Sequence, residues 1–123
     1  MLGDNDAMAT IAVKNLTAAR KFYEGKLGFK PVHTEGTAAV SYKSGKSQVL
    51  VYQSQFAGTN KATAATWMVK DVESLAKDLK GRGVAFEHYD MSGITRKGDV
   101  HVAGKRKNAW FKDPDGNILA IVE

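Results

Sequence analysis

The chain carries one short passage twice. Residues 11–25 line up with residues 67–81 at a constant offset of 56, and Val13/Val69, Lys14/Lys70, Lys21/Lys77 and Gly25/Gly81 are identical pairs. Each copy begins with an apolar strand-like run and meets a polar residue suited to cap a helix. A helical stretch, a glycine and further strands follow. A tandem repeat of this size in 123 residues points to two β–α units built into a single domain, residues 1–123. The first unit covers about 8–53, a linker about 54–63 and the second unit about 64–123. The floor between two such units is a natural place for a ligand.

Periodicity and punctuation set the elements. Residues 8–14 alternate around Ile11 and Val13 as a strand, and the Asn15 side chain can accept from the first free N–H groups of a helix. Leu16, Ala19, Phe22, Tyr23 and Leu27 then recur at helical spacing, which predicts a helix over 16–27 with Gly28 as its left-handed stop. Three strands are expected between Lys30 and Gln53. The second unit repeats the plan: a strand over 64–70, Asp71 as cap, a helix over 72–82 and a strand over 84–88. Residues 89–107 are rich in glycine and charge and read as a long loop or irregular hairpin. Strands at 108–112 and 117–122 close the chain around Asp113-Pro-Asp-Gly116, in which Pro114 fixes φ and Gly116 takes a positive φ. The expected core between sheet and helices is Ile11, Val13, Phe22, Trp67, Val69, Leu75, Leu79 and Leu119.

Composition narrows the chemistry. There is no cysteine, so a disulfide framework and a thiolate metal site are both excluded. No run approaches the roughly 18 apolar residues of a membrane span, and Met1-Leu-Gly-Asp-Asn-Asp6 is too polar for a signal peptide. A cytoplasmic protein without a membrane partner is expected. The net charge is +5, but its lysines and arginines are spread along both helices. The one basic run, Lys105-Arg-Lys107, has no aromatic interleaving, so a nucleic-acid partner is not expected. A solvated basic surface, or a rim that attracts an anionic small molecule, fits better.

The two runs Ile11-Ala-Val-Lys-Asn-Leu16…Phe22-Tyr23…Leu27-Gly28-Phe29 and Ala109-Trp-Phe-Lys-Asp-Pro-Asp-Gly-Asn-Ile118 resemble the opening and closing motifs of the vicinal oxygen chelate superfamily. That superfamily holds glyoxalase I, extradiol dioxygenases, and fosfomycin- and bleomycin-resistance proteins. The resemblance spans essentially the whole chain and implies an α+β fold of two βαβββ modules whose curved sheets enclose a cavity. It also implies a homodimer, since small members generally pair. Family enzymes usually hold a divalent metal through one residue from each of four strands. Counted onto this chain, those positions are Met8, about Leu50, about Ala64 and Ala120. A thioether, an isobutyl group and two methyls cannot replace imidazole or carboxylate. No His, Asp or Glu stands within 8–10, 49–52 or 62–66, and Glu123 is the nearest acid to Ala120. The expected site therefore has no metal ligands, no cofactor and no catalytic residues.

Aromatic and apolar side chains remain. With every second strand residue on one face, Thr10, Leu50, Tyr52, Thr66, Met68, Ile118 and Ala120 should face the cavity, with Trp110 and Tyr42 as aromatic walls. Trp67 should lie on the other face, under the helices. A long-loop lid with Tyr89 or Met91 turned inward, and with Arg96 and Lys97 on its rim, is a further expectation. The functional expectation is a metal-independent protein of the bleomycin-resistance type that sequesters an aromatic, amphipathic or anionic small molecule. The alternative is a glyoxalase-like lyase, isomerase or dioxygenase, working through a non-standard metal site from His33, His88, Asp90 or His101 or by acid–base chemistry without metal.

Overall fold

Asn15 and Asp71, 56 residues apart in the repeat, cap their helices in the same way. Asn15 Oδ1 accepts from the Ala18 N–H and Asp71 Oδ1 from the Ser74 N–H, each at 3.0 Å. The computed structural model describes all 123 residues. In its first half, β1 (Ala9–Val13) leads into α1 (Leu16–Arg20), followed by β2 (Lys30–Glu35), β3 (Ala39–Ser44) and β4 (Ser47–Gln53). In the second half, β5 (Thr63–Met68) leads into α2 (Val72–Gly81), then β6 (Phe86–Glu87), β7 (Thr95–Lys97), β8 (Val100–Ala103), β9 (Arg106–Lys112) and β10 (Ile118–Val122).

Both halves fold back on themselves by the same rule. The first sheet runs β1-β4-β3-β2, with β1 parallel to β4. The second runs β5-β10-β9-β8-β7, with β5 parallel to β10 and β6 also pairing with β9. The two sheets approach through β1 and β5. One face of both sheets packs under the helices, where 19 buried residues from both halves form a continuous core. The opposite, open face is left to line a site. The α+β fold of two βαβββ-type modules is the architecture that the sequence predicts.

Four differences from the sequence reading have physical causes. The first helix gives way after Arg20 to a wide π-type turn over 21–26, closed by the Leu27 N–H on the Phe22 carbonyl. The wider turn lets the neighbouring Phe22 and Tyr23 both turn inward, at 6% and 0% exposure. Segment 89–107 is irregular only at its start, because β7 and β8 form a hairpin and β9 begins at Arg106. The strand expected over 84–88 shrinks to Phe86–Glu87, since β8 occupies the adjoining stretch of the same β9 edge. Finally, Trp67, Val69 and Leu75 are half-buried rather than core. They wall an apolar cleft of about 120 Å³ between the end of the first helix and α2, with Leu27, Phe29 and Leu79. Ile11, Val13, Phe22, Leu79 and Leu119 are buried as expected.

The closing turn joins the halves. The Tyr23 hydroxyl donates to Asp113 Oδ2 at 2.8 Å, and Asn117 Nδ2 donates to the same oxygen and to the Ala12 carbonyl, both at 2.7 Å. Asp113 Oδ1 accepts the N–H groups of Asp115 and Asn117. Asp115 Oδ2 accepts from the Lys14 N–H. The linker lies against this turn at Gly58, where φ is +71° and an added Cβ would stand 2.0 Å from the Asp115 carbonyl oxygen. Only glycine fits that approach.

Burial raises the Tyr23 hydroxyl well above its usual pKa of 10.0, and the adjacent Asp113 charge reinforces this. Tyr42 is raised by burial and by its bond to the Glu24 carboxylate. Below pH 10 both phenols are neutral in folded and unfolded chains alike. Above it the unfolded chain ionises first, so stability falls. Tyr23→Phe should lose about 1–3 kcal/mol at pH 7 and flatten the alkaline decline, both read from urea unfolding across pH 7–11. Gly58→Ala should cost about 2 kcal/mol or more by the same measurement, because strain in φ and a backbone clash act together.

Candidate functional site

Strand pairing puts the expected site residues on the open face, with one exception. Thr10 pairs with Leu50 across β1 and β4, and Tyr52 pairs with Ala12 and Ala39. Ala120 pairs with Thr66 on one side and Trp110 on the other, while Met68 pairs with Val122. Thr10, Tyr52, Thr66 and Met68 are exposed, Leu50, Trp110 and Ile118 half-buried, and Ala120 buried. Tyr42 is the exception. It pairs with Val49 on the helix face, is fully buried and stacks near Tyr23 and Phe29, with its hydroxyl donating to Glu24 at 2.8 Å. Tyr42 alternates with Ser41, the residue that pairs with Leu50, so it cannot wall the open face.

The Glu24 carboxylate that receives Tyr42 also accepts from Arg20, which holds its pKa below the usual carboxylate range. This trio braces the first helix against β3 and is structural.

The open face holds one cavity of about 570 Å³ with an aromatic wall, at the end of the second sheet. Trp110 and Ile118 line it, and they are the only two of the nine expected site residues that do. Tyr89 and Met91 both turn inward from the segment after β6, as expected for that segment. Tyr89 meets Trp110 edge to face, with ring centroids 5.4 Å apart and planes at 77°. Behind them His101, 2% exposed, accepts the Tyr89 N–H through Nε2 at 2.9 Å and sets its ring 4.9 Å from that of Trp110. His101 therefore holds the aromatic wall in place. Phe111, next to Trp110, faces the core.

The rest of the lining is polar. The linker supplies Gly58, Asn60, Lys61 and Ala62, followed by Thr63, and the sheet supplies Glu87 and Lys112. Glu87 and Lys112 form an ion pair at 3.0 Å, which raises the Lys112 pKa above its usual value. Sequence reasoning missed these residues because the linker reads as polar spacer, and only the Gly58 contact folds it over the open face. Arg96 and Lys97 do not form the rim. The Arg96 guanidinium donates to the Gly98 carbonyl within its own hairpin, and Lys107 pairs with Glu73 of α2. Lys61 and Lys112 stand at the cavity instead.

The donor set does not fit a divalent metal. Met8 and Ala64 are exposed, Leu50 half-buried and Ala120 buried, and none of the four offers nitrogen or carboxylate oxygen. The histidines are dispersed: His33 bonds Glu35, His88 bonds Asp99 and His101 bonds the Tyr89 backbone. No three His, Asp or Glu residues converge where an ion could sit. No helix is long and apolar enough to cross a membrane.

Comparison with known proteins identifies the fold. No curated protein matches in sequence. The structure of a glyoxalase family protein from Enterococcus faecalis superposes with a TM-score of 0.76 at 21% identity, covering 100% of both chains. A lactoylglutathione lyase from Agrobacterium tumefaciens gives 0.72 at 17% identity over 97% of this chain and 92% of its own. An integron cassette protein from the mobile metagenome of Halifax Harbour sewage outfall gives 0.70 at 18% identity, over 96% and 97%. At these identities the likeness is one of fold. The Glyoxalase/Bleomycin resistance protein/Dioxygenase superfamily matches residues 7–121, and the chain belongs to it.

Proposed function

We propose that this protein binds and sequesters a small aromatic or amphipathic molecule without metal. The observation that carries the reading is the cavity of about 570 Å³ walled by Trp110, Tyr89, Met91 and Ile118. Its volume falls inside the range of small-molecule sites, and an aromatic cluster shares the lining with polar groups from the linker and sheet. His101 and the Trp110–Tyr89 contact organise the wall before any ligand arrives, which lowers the ordering cost of binding. The metal-dependent form of the lyase, isomerase or dioxygenase alternative gains no support, because no three His, Asp or Glu side chains cluster where an ion could be held.

We also propose that two copies pair. Tyr52 and Met68 leave 37% and 83% of their surface exposed on the open face, and a second chain would cover such residues. Sedimentation of the purified protein should show a dimer at micromolar concentration, and a monomer would overturn the pairing.

Thermal-shift titration with 2-naphthol and 2-naphthoate tests the binding reading. At least one should saturate, and a ligand at a hundred times its Kd stabilises the folded chain by about 2.7 kcal/mol. Trp110→Ala should weaken that ligand by about 2 kcal/mol, roughly 30-fold. Tyr42→Phe should leave its affinity unchanged. Failure of both probes to saturate, or undiminished binding to the Trp110 variant, would remove the cavity from consideration.

A further inference from the structure

The geometry points to a compact aromatic monocarboxylate as the ligand class of this cavity, with Lys61 as the residue that selects its charge. The inference rests on the cavity reading above and adds to it the sign and number of charges on the ligand.

Three ionic side chains line the cavity: Lys61, Lys112 and Glu87. Lys112 and Glu87 neutralise each other at 3.0 Å. Lys61 is exposed and makes no ion pair, so the lining carries one uncompensated positive charge. Its neighbour Asn60 already uses Oδ1 to accept the Ala62 N–H, which leaves the amide nitrogen as the group it can offer a ligand. A lysine ammonium and an amide N–H from consecutive residues of one lining are both donors, the complement of a carboxylate. No arginine lines the cavity, so an anion would be held by the point charge of an ammonium and not by a two-pronged fork. The same cavity is lined by Trp110, Tyr89 and Met91, which suit a flat ring. A flat ring for the aromatic lining and a single negative charge for Lys61 match this set of side chains.

Glu87 sharpens the selection. Its carboxylate occupies Lys112, so a second anionic group on the ligand would meet a lysine already paired and a carboxylate that repels it. A dianion is disfavoured on that side, and a monoanion directed to Lys61 avoids it.

Isothermal titration calorimetry with 2-naphthoate, 2-naphthamide and 2-naphthylmethylamine holds the ring constant and changes only the charge. The carboxylate should bind roughly five-fold tighter than the amide, and the amine weakest, as expected for one solvent-exposed ion pair. Raising the salt to 0.5 M, on the order of a tenfold increase over a dilute buffer, should narrow the gap between carboxylate and amide. Lys61→Gln should bring the carboxylate to the level of the amide and leave the amide unchanged. Glu87→Gln, which releases Lys112, should move the carboxylate the other way, to tighter binding. Equal binding of carboxylate and amide to the parent, or a Lys61→Gln loss that is the same for both, overturns the charge selection while the cavity reading stands. Absence of binding by all three overturns the cavity reading and this inference with it.

Discussion

The Asp113 carboxylate is the point on which both halves of the fold close. It takes the Tyr23 hydroxyl from the first helical segment, two backbone N–H groups of its own turn, and the amide of Asn117. Asn117 passes the connection to the Ala12 carbonyl of β1, and Asp115 adds a bond to Lys14 at the same strand end. Asp113 and Asn117 are buried at 5% and 7% exposure, so each bond forms away from water and strengthens its neighbours. A buried carboxylate with such partners specifies one arrangement, because any other leaves a charge without donors. The relation between the two sheets, and therefore the shape of the open face, follows from this one turn.

The linker depends on that turn in its own way. Gly58 sits so close to the Asp115 carbonyl that the path from Ser54 to Thr63 is confined to one course, with Ala57 buried beside it. That course carries Asn60 and Lys61 over the end of the second sheet. Charge selectivity in the cavity is thus set by a segment with no side-chain core of its own. The aromatic side of the cavity is held differently, by a buried imidazole that uses its only acceptor on the Tyr89 backbone.

Much of this fold is legible in the sequence, and the reasons differ residue by residue. The offset of 56 pairs Asn15 with Asp71, and a cap is a local bond that any chain of this pattern can make. Strand alternation placed Trp110 and Phe111 on opposite faces and Trp67 on the helix side, because side-chain direction along a strand is strictly periodic. Tyr42 was misplaced because its parity depends on the register of β3 against β4, which turn lengths fix and composition does not. The β7–β8 hairpin was legible only as a long loop or irregular hairpin, because glycine and charge dominate the stretch, β7 is wholly exposed and burial is confined to the start of β8. Lys61 had no signal at all, since nothing local reveals where a polar linker will be pinned.

The sheets also have two outer margins, and both resist extension. β2 lies at one, with Lys30 and Pro31 at its start, an irregular register after Pro31 and every residue exposed. β7 lies at the other, three residues long and carrying Arg96 and Lys97. Short strands, proline, charge and broken register are the features that stop a foreign strand from adding to an edge. The remaining edges, β1 and β5, face each other within the molecule. Open-ended growth by strand addition is therefore resisted at both outer margins and blocked at the inner pair, which keeps the sheet edges of one copy from templating those of the next.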